Sequence, residues 1–145
     1  MTITTQAPTR IDLTAPAADR LPVWKHGLVA ASVAAVATTA LAAVGSTGGV
    51  SFADSTGTSI PLAAFAQLTL VFSLIGVGIA AVMARKVRRP RRAFVRTAAA
   101  LTVLSWVPDL TFGFDGATAA ALITLHTVAA LIVVPTLAGR LARTR

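Results

Sequence analysis

His126 lies ten residues into an apolar run that begins at Gly116. An ionisable ring at that depth in a bilayer is costly and marks a functional position by default. As a proton carrier it would cycle through the imidazolium near neutral pH. As a structural residue it would stay neutral, the state burial favours, and donate one hydrogen bond to a neighbouring helix. Asp109 follows Pro108 near the end of the preceding apolar run, with Ser105 four residues earlier on the same helical face and Thr102 a further turn below. Gln67, Thr38 and Thr39 fall at similar depths in two other runs. Counted at ~1.5 Å per residue from the outer ends, Asp109 sits near ~2 Å, Ser105 ~8 Å, Gln67 ~9 Å, Thr102 ~12 Å and His126 ~14 Å. That ~12 Å offset argues against a direct Asp109–His126 pair without a re-entrant turn. Asp109, Ser105, Thr102, Gln67 and His126 nonetheless outline a polar pocket opening outward, able to hydrogen-bond a headgroup, a quinone or a proton. The competing reading makes each group helix glue, at about 0.6 kcal/mol per interhelical bond. Asp115, directly before Gly116, suits a helix N-cap.

Other chemistry finds no support. The chain has two His and no Cys or Glu, so no metal-ligand cluster forms and no thiol chemistry exists. Gly48-Gly49 has no phosphate-loop context, and no Ser, His and Asp set carries a nucleophile elbow. No cofactor is implied.

The elements that position these residues are set by hydropathy and charge. Over 145 residues the composition is 55% hydrophobic and 12% charged with mean hydropathy +0.77, a profile for a bilayer rather than water. Four apolar segments stand at about 23–45, 61–84, 93–110 and 116–138, near the ~20 residues that span a ~30 Å core. The third is shortest, with Arg92 and Arg96 placed to snorkel at its inner end. The expected fold is all-α, a four-helix transmembrane bundle over 23–140, between a disordered tail at 1–22 and a basic tail at 141–145. Ala40-Leu41-Ala42 resembles a signal-peptide cleavage site, but the length of the run and of the tail before it favour a retained helix. Gly27, Ala31 and Ala35, and Gly76, Ala80 and Ala84, form small-residue stripes suited to close packing.

The thirteen Lys and Arg fall in three clumps: Arg10, Arg20 and Lys25; Arg85 to Arg96; and Arg140, Arg143 and Arg145. No base lies between Lys25 and Arg85 or between Arg96 and Arg140. If each interval is a down-and-back helix pair, every base lies on one face, which the positive-inside rule makes cytoplasmic, with both termini inside the plasma membrane. Arg85, Lys86, Arg88, Arg89, Arg91 and Arg92 are then candidates for contacts with anionic lipid headgroups. A net charge of +8 also suits nucleic acid, but the bases flank apolar segments and no soluble reading domain accompanies them. Partners are therefore membrane lipids, with a membrane protein or a second copy of the chain left open.

The second hairpin, through Ser105, Pro108 and Asp109 in SWVPD and His126, Ala129, Ala130 and Pro135 in LHTVAALIVVPTLAGRL, resembles a family of small actinobacterial four-helix membrane proteins of unknown function. The likeness covers about the last third of the chain. It implies a membrane location and shared use of Asp109 and His126, and brings no activity. The chain is also similar in size to four-helix multidrug transporters, but lacks their membrane-embedded Glu in the first helix. Two readings follow: a non-enzymatic envelope component that binds lipid or a membrane partner, or an embedded enzyme or proton-coupled carrier working through His126.

Overall fold

A computed structural model describes residues 23–142; the expected tail at 1–22 and residues 143–145 of the basic tail lie outside the described residues. The chain is all-α, with four helices: α1 (Val23–Thr47), α2 (Leu62–Lys86), α3 (Pro90–Thr111) and α4 (Gly116–Leu141). They run up and down in turn. α1 packs on α2 and α4, and α3 packs on α4 and more lightly on α2; α1 and α3 are diagonal and do not touch.

Local chemistry fixes the ends. α1 stops in a Schellman turn: Gly49 takes φ +93° while Val50 N–H donates to the Gly45 carbonyl and Gly49 N–H to that of Ser46. α2 follows Pro61 and ends at extended Val87. Pro90 is the first residue of α3, where its missing N–H costs nothing. The basic link is therefore shorter than its composition suggests. Arg85 and Lys86 close α2, Arg91 and Arg92 open α3, and only Val87, Arg88 and Arg89 lie between. α4 runs on to Leu141, three residues past its expected end.

Two apolar clusters fill the bundle. The one towards the basic α2–α3 link, here the inner, joins Ala34, Val77, Ala80, Phe94, Val133, Leu137, Ala138 and Leu141; the one towards the α1–α2 loop, the outer, joins Ala42, Phe52, Phe65, Leu122 and Leu125. Between them Thr38 donates to the Ala34 carbonyl and its hydroxyl oxygen lies 3.0 Å from that of Thr69, bridging α1 and α2. Phe52 comes from the α1–α2 loop, not from a helix. Its φ of +49° turns its ring down among the helix ends, edge-on to Phe65 at 5.0 Å. Ser51 ties the same loop to the start of α4 through Asp115 (3.2 Å).

The bundle's outside is apolar. Val29, Val36, Phe72, Leu104, Leu110 and Leu131 are all more than 60% exposed, an arrangement water does not tolerate and lipid does. α1, α2 and α4 are long and apolar enough to cross a membrane. α3 is not among them, because Arg91, Arg92, Arg96 and Asp109 leave only twelve uncharged residues, 97–108, between its charges.

Candidate functional site

The structure brings Asp109 and His126 together. His126 Nδ1 is 3.0 Å from Asp109 Oδ2, and Asp109 has a side chain only 7% exposed. Rise along the axes had separated them by ~12 Å. Side-chain direction works against that separation. The helices are antiparallel, and each side chain leans towards its own helix N-terminus, so His126 and Asp109 tilt towards each other.

The same Nδ1 is 3.0 Å from the Leu122 carbonyl. Both neighbours are acceptors, so the hydrogen sits on Nδ1 and faces the Leu122 carbonyl, with Asp109 Oδ2 beside it at ion-pair distance and no other polar partner. The other ring nitrogen, Nε2, has no hydrogen-bond partner among the described residues. The ring is 42% exposed.

Of the other pocket candidates, Thr102 and Ser105 share the buried face of α3 with Asp109, and both are half-buried. Their hydroxyls bond within their own helix, Thr102 to the Ala98 carbonyl (2.9 Å) and Ser105 to that of Thr102 (2.6 Å). Gln67 is exposed on α2 and stands apart from this group. One member of the site was passed over in the sequence. Trp106 is half-buried, its indole N–H is buried without a partner, and it lies three residues before Asp109 on the same helical face. The i, i+3 spacing to Asp109 was the available signal.

Asp115 caps α4 as expected, accepting from Thr118 N–H at 2.8 Å and from the Thr118 hydroxyl at 3.1 Å. Those bonds, the backbone one first, hold its carboxyl below the ordinary range. Asp54 is held low in the same way, first by the Thr56 hydroxyl at 2.7 Å and then by the backbone N–H groups of Thr56 and Thr58.

At the opposite end, Arg85, Lys86, Arg88, Arg89, Arg91 and Arg92 are all exposed, and among the described residues none has a carboxylate within ion-pair distance. Arg89, Pro90, Arg91 and Arg92 with Leu141 and Ala142 line an open hollow of about 400 Å³. No group of three or more His, Cys, Asp or Glu that could hold a metal exists among the described residues.

The model of a family of unknown function (DUF6069) matches residues 18–143, a span that takes in all four helices. The chain belongs to that family. No curated protein and no solved structure matches it. Membership of DUF6069 carries no assigned activity, so function rests on the geometry of this chain's own residues.

Proposed function

We propose that this DUF6069 protein is a non-enzymatic, multi-pass component of the plasma membrane, with both termini cytoplasmic, whose basic inner end holds anionic lipid headgroups. One observation carries the reading: the segregation of charge along the bundle. Every described Lys and Arg lies at or near the end where α1 begins, α2 and α3 meet and α4 stops, whereas Asp54, Asp109 and Asp115 lie towards the other. Unpaired bases beside an apolar belt attract phosphatidylglycerol or cardiolipin, each contributing about 1 kcal/mol near the surface. In this reading α3 crosses with the other three helices, Arg91, Arg92 and Arg96 reaching back to the interface.

Two experiments test it. The chain has no Cys, so single substitutions report cleanly. Ser55→Cys and Thr111→Cys should react with an impermeant maleimide on intact cells and Arg88→Cys should not; labelling of Arg88→Cys, or protection of Thr111→Cys, refutes the topology. Native mass spectrometry from mixed vesicles should show retained phosphatidylglycerol over phosphatidylcholine. The preference should disappear when Arg88, Arg89, Arg91 and Arg92 are all changed to Gln. Equal lipid retention in both proteins refutes the headgroup role.

A second reading is favoured by the 3.0 Å approach of Asp109 to His126. An embedded enzyme or proton-coupled carrier would use His126 as the proton-handling group. His126→Gln should then fold and lose all activity, whereas a structural histidine tolerates that change.

A further inference from the structure

Three polar groups in the α3–α4 seam have hydrogen-bonding capacity that the protein leaves unused. Asp109 Oδ2 is buried with only the His126 ring beside it, Trp106 Nε1–H is a buried donor with no partner, and His126 Nε2 has none on a half-exposed ring. Buried polar atoms are almost always satisfied, so two orphans one helical turn apart call for a partner. Trp106 and Asp109 have Cβ atoms about 5–6 Å apart, close enough for one small group to meet both.

The surroundings say where that group comes from. Towards the outer water the bundle is closed by Phe52, Phe65, Leu122 and Leu125, with Thr118 fully buried above them. Towards the inner face it is closed by Val77, Ala80, Phe94, Val133 and Leu137. The His126 ring is 42% exposed between these two clusters, so its exposed part opens sideways, on the flank of the bundle. A ligand reaching it travels through the bilayer.

The donor set then selects its chemistry. Trp106 N–H needs an acceptor, which excludes an ammonium head; Asp109 repels an anion in a medium of low dielectric. A hydroxyl both accepts and donates, and satisfies the indole N–H together with Oδ2 or Nε2. We infer that Trp106, Asp109 and His126 form a lateral binding site for an uncharged, bilayer-dissolved molecule bearing a hydroxyl group, either an aliphatic lipid alcohol or a phenolic quinol. This site is separate from the basic end, so its failure leaves the headgroup reading untouched.

Trp106 reports on its own site. The chain has two tryptophans, and Trp24 is half-exposed at the start of α1, so Trp24→Phe leaves a single emitter. The full chain carrying that change, in phosphatidylcholine vesicles, is titrated with farnesol and with a short-tailed hydroquinone, each against its O-methyl ether. The expected result is a saturable change in Trp106 emission with a hydroxyl probe. Binding should be weaker by about tenfold or more for the corresponding ether, and in His126→Phe. Response to only one probe identifies the aliphatic or the phenolic source. If His126→Phe fails to fold, the comparison of hydroxyl with ether in the unsubstituted site still decides. No saturable response to either probe, or equal response to hydroxyl and ether, overturns the site and leaves the orphans to water.

Discussion

Gly27→Ala sets two known effects against each other. An added methyl improves helix propensity by about 1 kcal/mol, which favours the variant. A Cβ built on Gly27, however, lies 2.9 Å from Val77 Cγ1 and 3.2 Å from Val77 Cβ, with Cγ2 nearer still. Ordinary contact begins near 3.4 Å, so Val77 must retreat from Cγ1 contact alone by at least 0.5 Å. It has little freedom to do so: a β-branched residue in a helix holds one χ1 rotamer, and Val77 is buried in the inner cluster against Ala34 and Ala80. Overpacking of this kind costs about 1–3 kcal/mol, so steric cost wins and the net loss is about 1 kcal/mol. Gly76→Ala is the control, because nothing lies within 4 Å of its new methyl, and it should be neutral or stabilising. Thermal unfolding in detergent should place Gly27→Ala about 2–4 °C below wild type and Gly76→Ala at or above it. In a double-mutant cycle Val77→Ala should absorb the Gly27→Ala penalty, giving a coupling of about 1 kcal/mol or more. Equal melting of the two glycine variants, or additivity in the cycle, would refute the close approach of α1 and α2 at this level.

Phe52→Ala should cost about 3–5 kcal/mol, because the loop loses the ring that closes the outer cluster, and limited proteolysis of the 48–61 loop should accelerate in step. Unchanged melting and cleavage would mean that the ring does not hold the loop down. Thr69→Val removes the one side-chain hydrogen bond between α1 and α2 and should lower stability by about 0.6 kcal/mol, read by chemical denaturation in mixed micelles. Because Thr38 keeps its bond to the Ala34 carbonyl, a loss several times larger would refute that value. Because bonds from Thr118 depress the Asp115 carboxyl below its ordinary 3.8, its cap contribution is fully present above about that pH and fades as the pH falls below it. Melting curves should be flat above pH about 4 and fall beneath it, with Asp115→Asn reducing the acid slope and Asp54 supplying part of what remains. An unaltered slope in Asp115→Asn would count against the cap.

The number of helices, the Asp115 cap and the crowding of bases at one end could be read from the sequence because each depends on local composition. What could not be read depends on where side chains point. Treating residues as points on helix axes set Asp109 and His126 apart, whereas their side chains, tilting towards each other from antiparallel helices, meet at 3.0 Å. The two small-residue stripes looked equivalent, yet Gly27 is buried against Val77 while the methyl position on Gly76 is open. Phe52 sits in a Ser, Thr and Gly-rich stretch with no apolar periodicity, and only its left-handed backbone carries it into the core.

The deeper reason is that a bilayer removes the contrast on which periodicity arguments rest. In a soluble helix polarity separates the buried face from the exposed one. In α1 both faces are uncharged after the first turn, and side-chain size does the separating: the buried positions are Gly27, Ala30, Ala31, Ala34, Ala35, Thr38 and Ala42, and the exposed ones include Val29, Val33, Val36, Leu41 and Val44. Small residues let backbones approach, and branched ones face out of the bundle. Against that background polarity regains its meaning as an exception. Most hydroxyls here discharge it into their own helix, as Thr39, Thr102, Thr124 and Thr136 do. Asp109 and the Trp106 indole have no such outlet, because a carboxylate cannot donate to a carbonyl and an indole N–H stands too far from the backbone of its own turn. With His26 Nδ1 at the start of α1, these are the buried polar atoms that folding leaves unmet among the described residues, and Trp106 and Asp109 are the two that lie together where a ligand has something to offer.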